Sequence, residues 1–551
     1  MTVFWGQSAM VTMACTRPPL KTQSKLLIGT ALVCLAIWGG ASSVAAQDRD
    51  SDKPLSAINW LTQSLDAPRP TPKKTIAPRR TTALRDDISA NALPETVTSG
   101  PIDAPRVDAA GLISAAQTGL PRDLWGASKA LDLSRRMTSI SGKEDLLPAS
   151  RRLLNTLILA ELDPPLGLQN DGRLFIARVD ALLTQGLIEE ADALMDRAGS
   201  SDPDVFRRAF DAKLLMGTEN EACAQLKNTR GLSPALPTRI FCLARDGDWR
   251  AAAFTLETST TLGLVSLEDG ALLARFLDPE LFEDEPPLPV TSTPSPLTFT
   301  MMDAIGEPFQ TQSLPLAFAQ SDLSQTAGWK IRATAAERLA RVGALPPNRW
   351  LGIWSEHLPA ASGGIWDRIE ALQRFETALN TGDPNGISHS LERVWDEMGE
   401  AGLQIVFADL FAQKLSDAPL SGEAADIAFE VALLSPSYEI IANEWDKPLS
   451  KEAVFLKSIA LGEVPLGRLT DARKRAIVDG FRATGIPVRL AGLVDSKRLG
   501  EAILRAIELL EGGATGDLDE LTDAIQFFRA VGLEATARRA ALEILLLERR
   551  G

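Results

Sequence analysis

Histidine is almost missing from this chain: His357 and His389 are the only two in 551 residues, 32 positions apart. A zinc cluster would have almost no ligands to draw on. Cysteine is scarce as well, with Cys15, Cys34, Cys223 and Cys242, and none of these has C-x-x-C spacing. A single tyrosine and the lack of any sustained alternation of β-branched residues argue against a sheet. No S-x-x-K, G-x-S-x-G, H-E-x-x-H, phosphate-binding loop or dinucleotide glycine fingerprint occurs. The chain therefore offers no catalytic residue, no metal ligand and no cofactor motif, and an enzyme is not expected. A pair of carboxylates acting on a glycosidic bond would leave no trace among 72 acids, and that one route stays open.

Positive charge is in deficit. The formal net charge is −15, a field that repels nucleic-acid phosphates, so no nucleic-acid partner is expected.

The N-terminus is where cations and a long apolar run do occur together. Arg17, Lys21 and Lys25 precede the 13-residue apolar run Leu26–Trp38, and small residues then lead to Val44-Ala45-Ala46 before Gln47. This is the layout of an export signal cleaved between Ala46 and Gln47. The run is short of the roughly 20 residues needed to span a bilayer, although counting the small residues up to Ala46 leaves an uncleaved inner-membrane anchor as the alternative. Cleavage removes three cations and takes the net charge to −18. The expected location is the periplasm, where a disulfide between Cys223 and Cys242 would persist.

Residues 47–65 contain an isolated apolar island, Pro54 to Leu65. Leu55, Ile58, Leu61 and Leu65 fall on one side of a helix, with Trp60 outside that stripe. A helix this short is marginal by itself, so it is expected to dock, either on the body or in a partner's groove. Residues 66–110 are proline-rich and aperiodic, the composition of a disordered linker. Their first part carries Arg69, Lys73, Lys74, Arg79, Arg80 and Arg85 against the lone Asp66. That run reads as solvated linker or as a patch drawn to an anionic surface.

Beyond the linker, Leu120-Pro-Arg-Asp-Leu-Trp125 opens an ordered segment, and from Leu146 onward the pattern is helical. Residues 111–277 repeat themselves. Gly186, Gly217 and Gly247 lie 31 and 30 residues apart, each followed five positions later by Ala191, Ala222 or Ala252 and nine positions later by Met195, Leu226 or Leu256. Glycine permits a tight turn and alanine a close helix approach, so the spacing predicts helical hairpins stacked as an α-solenoid. In that register Cys223 and Cys242 lie on neighbouring helices of successive hairpins, which predicts their disulfide.

The stretch Ala-Leu-Leu-Thr-Gln-Gly186-Leu-Ile-Glu-Glu-Ala191-Asp-Ala-Leu resembles a tetratricopeptide repeat. The resemblance implies a scaffold that presents a concave surface to protein partners or to glycan enzymes. The whole layout also resembles a group of secreted bacterial proteins, some of which carry the label "antifreeze glycopeptide polyprotein".

An acidic, proline-rich stretch at 278–297, beginning Asp278-Pro-Glu-Leu-Phe-Glu-Asp-Glu285, reads as a solvated hinge loop without the turn and ligand spacing of a calcium site. A C-terminal helical domain, 298–551, follows. Helices are predicted over Trp329–Val342, Ile365–Leu379, Leu391–Gln413 and Leu499–Leu547, with Asp517 and Glu520 as a capping box and Gly532 with Ala537 echoing the repeat. Five tryptophans fall between Trp329 and Trp395; they read as core, or as stacking surfaces for cell-wall glycan. Ser355-Glu356-His357 brings nucleophile, acid and base types together, but neighbours on a helix point apart.

These observations point to an all-α repeat protein of the cell envelope. Its expected role is a non-catalytic scaffold for protein partners. The alternative is a peptidoglycan-active enzyme, or its glycan-binding subunit, with superhelical architecture.

Overall fold

The computed structural model describes residues 107–166, 172–199, 202–229, 232–233, 235–463 and 469–547. The leader with Ala46 and Gln47, the island with Leu55, Ile58, Trp60, Leu61 and Leu65, and the proline-rich stretch up to residue 106 lie outside them. The described residues are all-α, and their one β feature is an isolated bridge between Ile113 and Ala160. Among them no helix is long and apolar enough to cross a membrane.

The body begins earlier than the sequence suggests. Val107–Ala109, at the end of the expected linker, forms a 3-10 turn, and the buried Asp108 accepts a hydrogen bond from the Phe175 amide at 2.8 Å. The buried Arg178 donates to the carbonyls of Asp108, Ile158 and Ala160, which ties this turn to the body. Burial pushes the Arg178 guanidinium down to about 10.

After a short α1 (Ala115–Thr118) come α2 (Ala130–Ser141) and α3 (Pro148–Leu159), and then three hairpins. These are α4 (Arg173–Thr184) with α5 (Ile188–Ala198), α6 (Pro203–Met216) with α7 (Glu219–Asn228), and α8 (Leu236–Arg245) with α9 (Trp249–Thr261). Gly186, Gly217 and Gly247 occupy the three turns with φ of 76°, 73° and 84°, a region that glycine enters without steric cost. Ala191, Ala222 and Ala252 are buried where the helices meet, as are Met195 and Leu256. The spacing of the three glycines therefore marks three successive helical hairpins. Ion pairs link consecutive ones: Lys213 to Asp192 at 2.9 Å, and Arg245 to Glu219 at 2.7 Å.

The remaining helices are α10 (Leu267–Leu277), α11 (Pro296–Ala304), α12 (Trp329–Arg341), α13 (Pro347–Trp354), α14 (Ile365–Thr381), α15 (Pro384–Ala401) and α16 (Gln404–Asp417). Then follow α17 (Glu423–Leu434), α18 (Tyr438–Glu444), α19 (Lys451–Ala460), α20 (Ala472–Arg482), α21 (Val488–Asp495), α22 (Leu499–Ala514), α23 (Leu518–Ala530) and α24 (Glu534–Leu546). The single helix expected over Leu391–Gln413 is two, because Gly402 leaves the helical region with φ of 68°. The capping box at α23 is half formed: Asp517 accepts from the Glu520 amide at 3.0 Å, while the Glu520 side chain turns to Arg489.

Two apolar cores divide the chain differently from the boundary expected at 278–297. The larger draws on Leu120 through Leu215 and again on Leu314 through Ile544. The smaller, from Phe206 to Met302, lies among α6 to α11, where α11 returns to pack on α6. Helix α6 serves both. Val205, Ala209 and Ala212 face the larger core, and Phe206, Phe210 and Leu214 the smaller. The acidic stretch is thus a loop within the smaller lobe, between two helices that pack on each other, rather than a hinge between domains.

The last helices also return to the first. Helices α2 and α3 pack on α22, and α3 on α24. Two acids from these late helices cap the start of α3: Glu511 accepts from the Leu147 amide at 3.1 Å and Glu543 from the Ala149 amide at 2.7 Å. Leu124 and Trp125, in the segment opening at Leu120, are buried against this junction, where the Gly500 amide donates to the Leu124 carbonyl at 2.9 Å.

Candidate functional site

In the smaller lobe, exposed large apolar side chains cluster between Trp249 and Leu267. On α9 the positions turned inward are Ala252, Leu256 and Ser259, a stripe at helical spacing. Trp249 and Phe254 fall off that stripe, and Phe254 is 70% exposed. Leu262, Leu264 and Leu267 in the following turn are exposed too, Leu267 to 87%. The two helices of this hairpin are in contact: a Cβ on Gly270 of α10 would stand 3.7 Å from Thr260 Oγ1 of α9, an ordinary van der Waals distance. At its far end the Trp249 ring lies 6.5 Å from Phe276, which in turn packs on Phe241 in the lobe's core. The exposed apolar groups therefore run along one hairpin with a firm base.

That base includes the two cysteines. Cys223 on α7 and Cys242 on α8 stand at disulfide distance, with Cα atoms 5.1 Å apart, on the neighbouring helices that the glycine register predicts. Arg275, in the last turn of α10, holds the acidic loop by reaching Glu285 at 3.3 Å and the Pro286 carbonyl at 2.8 Å, and it also pairs with Glu307, past α11, at 3.3 Å. Glu280, Glu283 and Asp284 remain exposed beside it. Among the described residues no cluster of potential metal ligands occurs, in this loop or elsewhere.

A polar cleft of about 350 Å³ forms a second candidate, lined by Ser355, Glu356, His357, Gln373, Glu376 and Asn380 among others. Its first three residues are the triplet that sequence placed on a helix. They lie just past the end of α13, where Ser355 is the cap, and each turns to a different partner. Ser355 Oγ donates to Glu376 Oε2 at 3.2 Å, Arg332 holds Glu356 in a two-pronged ion pair, and His357 packs edge-on against Trp329 at 5.3 Å. They form no nucleophile–base–acid relay. Gln373 fixes the turn by donating to the Trp354 and His357 carbonyls. Burial pushes the Glu376 carboxyl above its ordinary range, opposed by the Ser355 hydrogen bond and the charge of Lys414.

Of the five tryptophans, Trp350 and Trp354 are core residues, their tilted rings 4.8 Å apart on α13, and Trp395 is buried as well. Trp329 and Trp366 are partly exposed, 5.0 Å apart beside the cleft. A glycan surface built on Trp350 and Trp354 is thereby removed, and only the Trp329–Trp366 pair keeps an accessible face.

No family model, no curated protein and no solved structure matches the chain.

The sequence reading missed Trp249, Phe254 and the leucines after them, and it missed Glu376. The first set had a legible signal, since large apolar residues off the buried stripe of a helix need a cover. Glu376 had none, because its burial is created by a turn 20 residues away.

Proposed function

We propose that this chain is a non-catalytic interaction scaffold of the bacterial cell envelope, built from stacked helical hairpins in the manner of tetratricopeptide-like repeats. Its docking surface is the α9–α10 face. The observation that carries this reading is the group Phe254, Leu262, Leu264 and Leu267, left exposed around the α9–α10 turn, with Trp249 half exposed at the hairpin's other end. Large exposed apolar patches of this kind are what protein partners bury. Support for the envelope comes from the basic, apolar and small-residue sequence ending at Ala46, and from a cysteine pair suited to an oxidising compartment.

The test is affinity capture from envelope extract with the wild-type chain and with a Phe254→Ser, Leu267→Ser variant. Both side chains are mostly exposed, so folding should be unaffected. Partners retained by the wild type and lost by the variant support the reading. An identical set of captured proteins overturns it.

A second reading rests on the cleft. Glu376 with its raised pKa, the Ser355 hydroxyl and the Asn380 amide, beside the Trp329–Trp366 pair, match the mix of polar groups and aromatic faces that holds sugar rings. Glu356 lines the same cleft, but both of its oxygens are held by Arg332, so the reading is of glycan binding rather than cleavage. Titration with soluble peptidoglycan fragments decides it: saturable binding that Glu376→Gln weakens at least tenfold supports a glycan site, and no binding removes it.

A further inference from the structure

The α9–α10 face has an acidic rim. Past α10 the exposed Leu281 is flanked by the exposed acids Glu280, Glu283 and Asp284. No lysine or arginine occurs anywhere in 278–297. A cover for this face therefore needs an apolar stripe followed closely by cations.

One segment of the chain has that pattern. Pro54 to Leu65 carries Leu55, Ile58, Leu61 and Leu65 at helical spacing, and Arg69, Lys73, Lys74, Arg79, Arg80 and Arg85 come directly after it against the lone Asp66. We propose that this segment is the occupant of the α9–α10 face, its leucines and Ile58 covering Phe254 and Leu267 while the basic run meets the acidic rim. The 41 residues between Leu65 and Val107 reach about 140 Å when fully extended, so chain length does not limit the contact. A second copy is a poorer cover: a two-fold contact brings the same patch onto itself, acidic rim included, in a chain of net charge −15.

This inference rests on the α9–α10 face being an interaction surface, and adds its regulation. A tethered occupant is held at high effective concentration, so an external partner must displace it. The face is then closed in the resting chain and opens to a partner that competes for it.

Hydrogen exchange over residues 249–281 in the full chain tests the contact, comparing the wild type with a Leu55→Ser, Ile58→Ser, Leu61→Ser variant. Exchange in 249–281 should be several-fold faster in the variant and return to the wild-type rate when a synthetic peptide of residues 54–85 is added. The peptide ending at residue 65 should bind more weakly, and the difference between the two peptides should vanish at about 1 M salt, where charges are screened beyond roughly 3 Å. Equal exchange in the two proteins, protection of another face by the peptide, or protection that grows with protein concentration as a second copy would require, each overturns the proposal. Its failure is distinct from failure of the surface itself. If capture of a partner depends on Phe254 and Leu267, yet the triple serine variant captures no more than the wild type, the surface stands and its self-occlusion falls.

Discussion

The Trp125 indole lies so close to Gly500 that a methyl group on that glycine would stand 2.5 Å from Cε3. Trp125 is 2% exposed and Gly500 sits in the first turn of α22, so neither has room to yield. Gly500→Ala should cost about 1–3 kcal/mol by overpacking, in spite of alanine's better helix propensity. Denaturant unfolding measures this, and an unchanged midpoint would show that the segment at Trp125 and α22 are not tightly joined there.

The Cys223–Cys242 pair closes a loop of 19 positions. Its bond should stabilise the fold by about 3 kcal/mol in the chain-entropy model. Thermal unfolding of the wild type with and without reductant, against Cys223→Ala with Cys242→Ala, checks the figure. Two free thiols by mass spectrometry after purification without reductant would remove the bond from the account.

Gly186 and Gly217 make the same turn in different surroundings. A Cβ on Gly217 would meet nothing within 4 Å, so Gly217→Ala should cost only the roughly 1–2 kcal/mol of a left-handed alanine. A Cβ on Gly186 would also meet Leu316 at 3.1 Å and Leu339 at 3.2 Å, and the loss should be visibly larger. Equal losses would mean that the 3-10 turn at Leu316–Leu323 moves aside freely.

Asp211 on α6 is fully buried, one of its oxygens has no hydrogen-bond partner among the described residues, and burial pushes its carboxyl up to about 7 against the pull of Arg207 and Arg208. Between about 4, where the unfolded chain titrates, and about 7, the folded state holds a proton that the unfolded state has released. This group's stabilisation is therefore present below about pH 4 and lost as pH rises through 7. Asp211→Asn should match the wild type at pH 4 and exceed it at pH 8 by on the order of 4 kcal/mol. A difference that does not depend on pH would show the carboxyl to be paired after all.

What the sequence disclosed was local. The glycine spacing gave the hairpins and the cysteine pair because a turn, a small residue and a stripe all lie within one hairpin. The break at Gly402 was hidden because apolar residues continue in helical register across it, from Met398 and Ala401 to Ile405 and Ala412. The two-core division was hidden because α6 is apolar on two sides, and a sequence does not say which partner each side meets. Of the candidate sites, Trp249 and Phe254 were readable as exceptions to a buried stripe. The cleft at Ser355 was not, since it is assembled from a turn and from the middle of α14.

The capping of α3 by Glu511 and Glu543 spans 364 and 394 residues of chain. At a synthesis rate of about 5–20 residues per second, the first turn of α3 waits roughly 20 to 80 s for the carboxylate that completes it. Until then the larger core lacks its closing helices, and the amides of Leu147 and Ala149 have no carboxylate. Completion of that core is consequently a late event, and a frameshift within α24 should destabilise α3 although the capped amide lies 394 residues away.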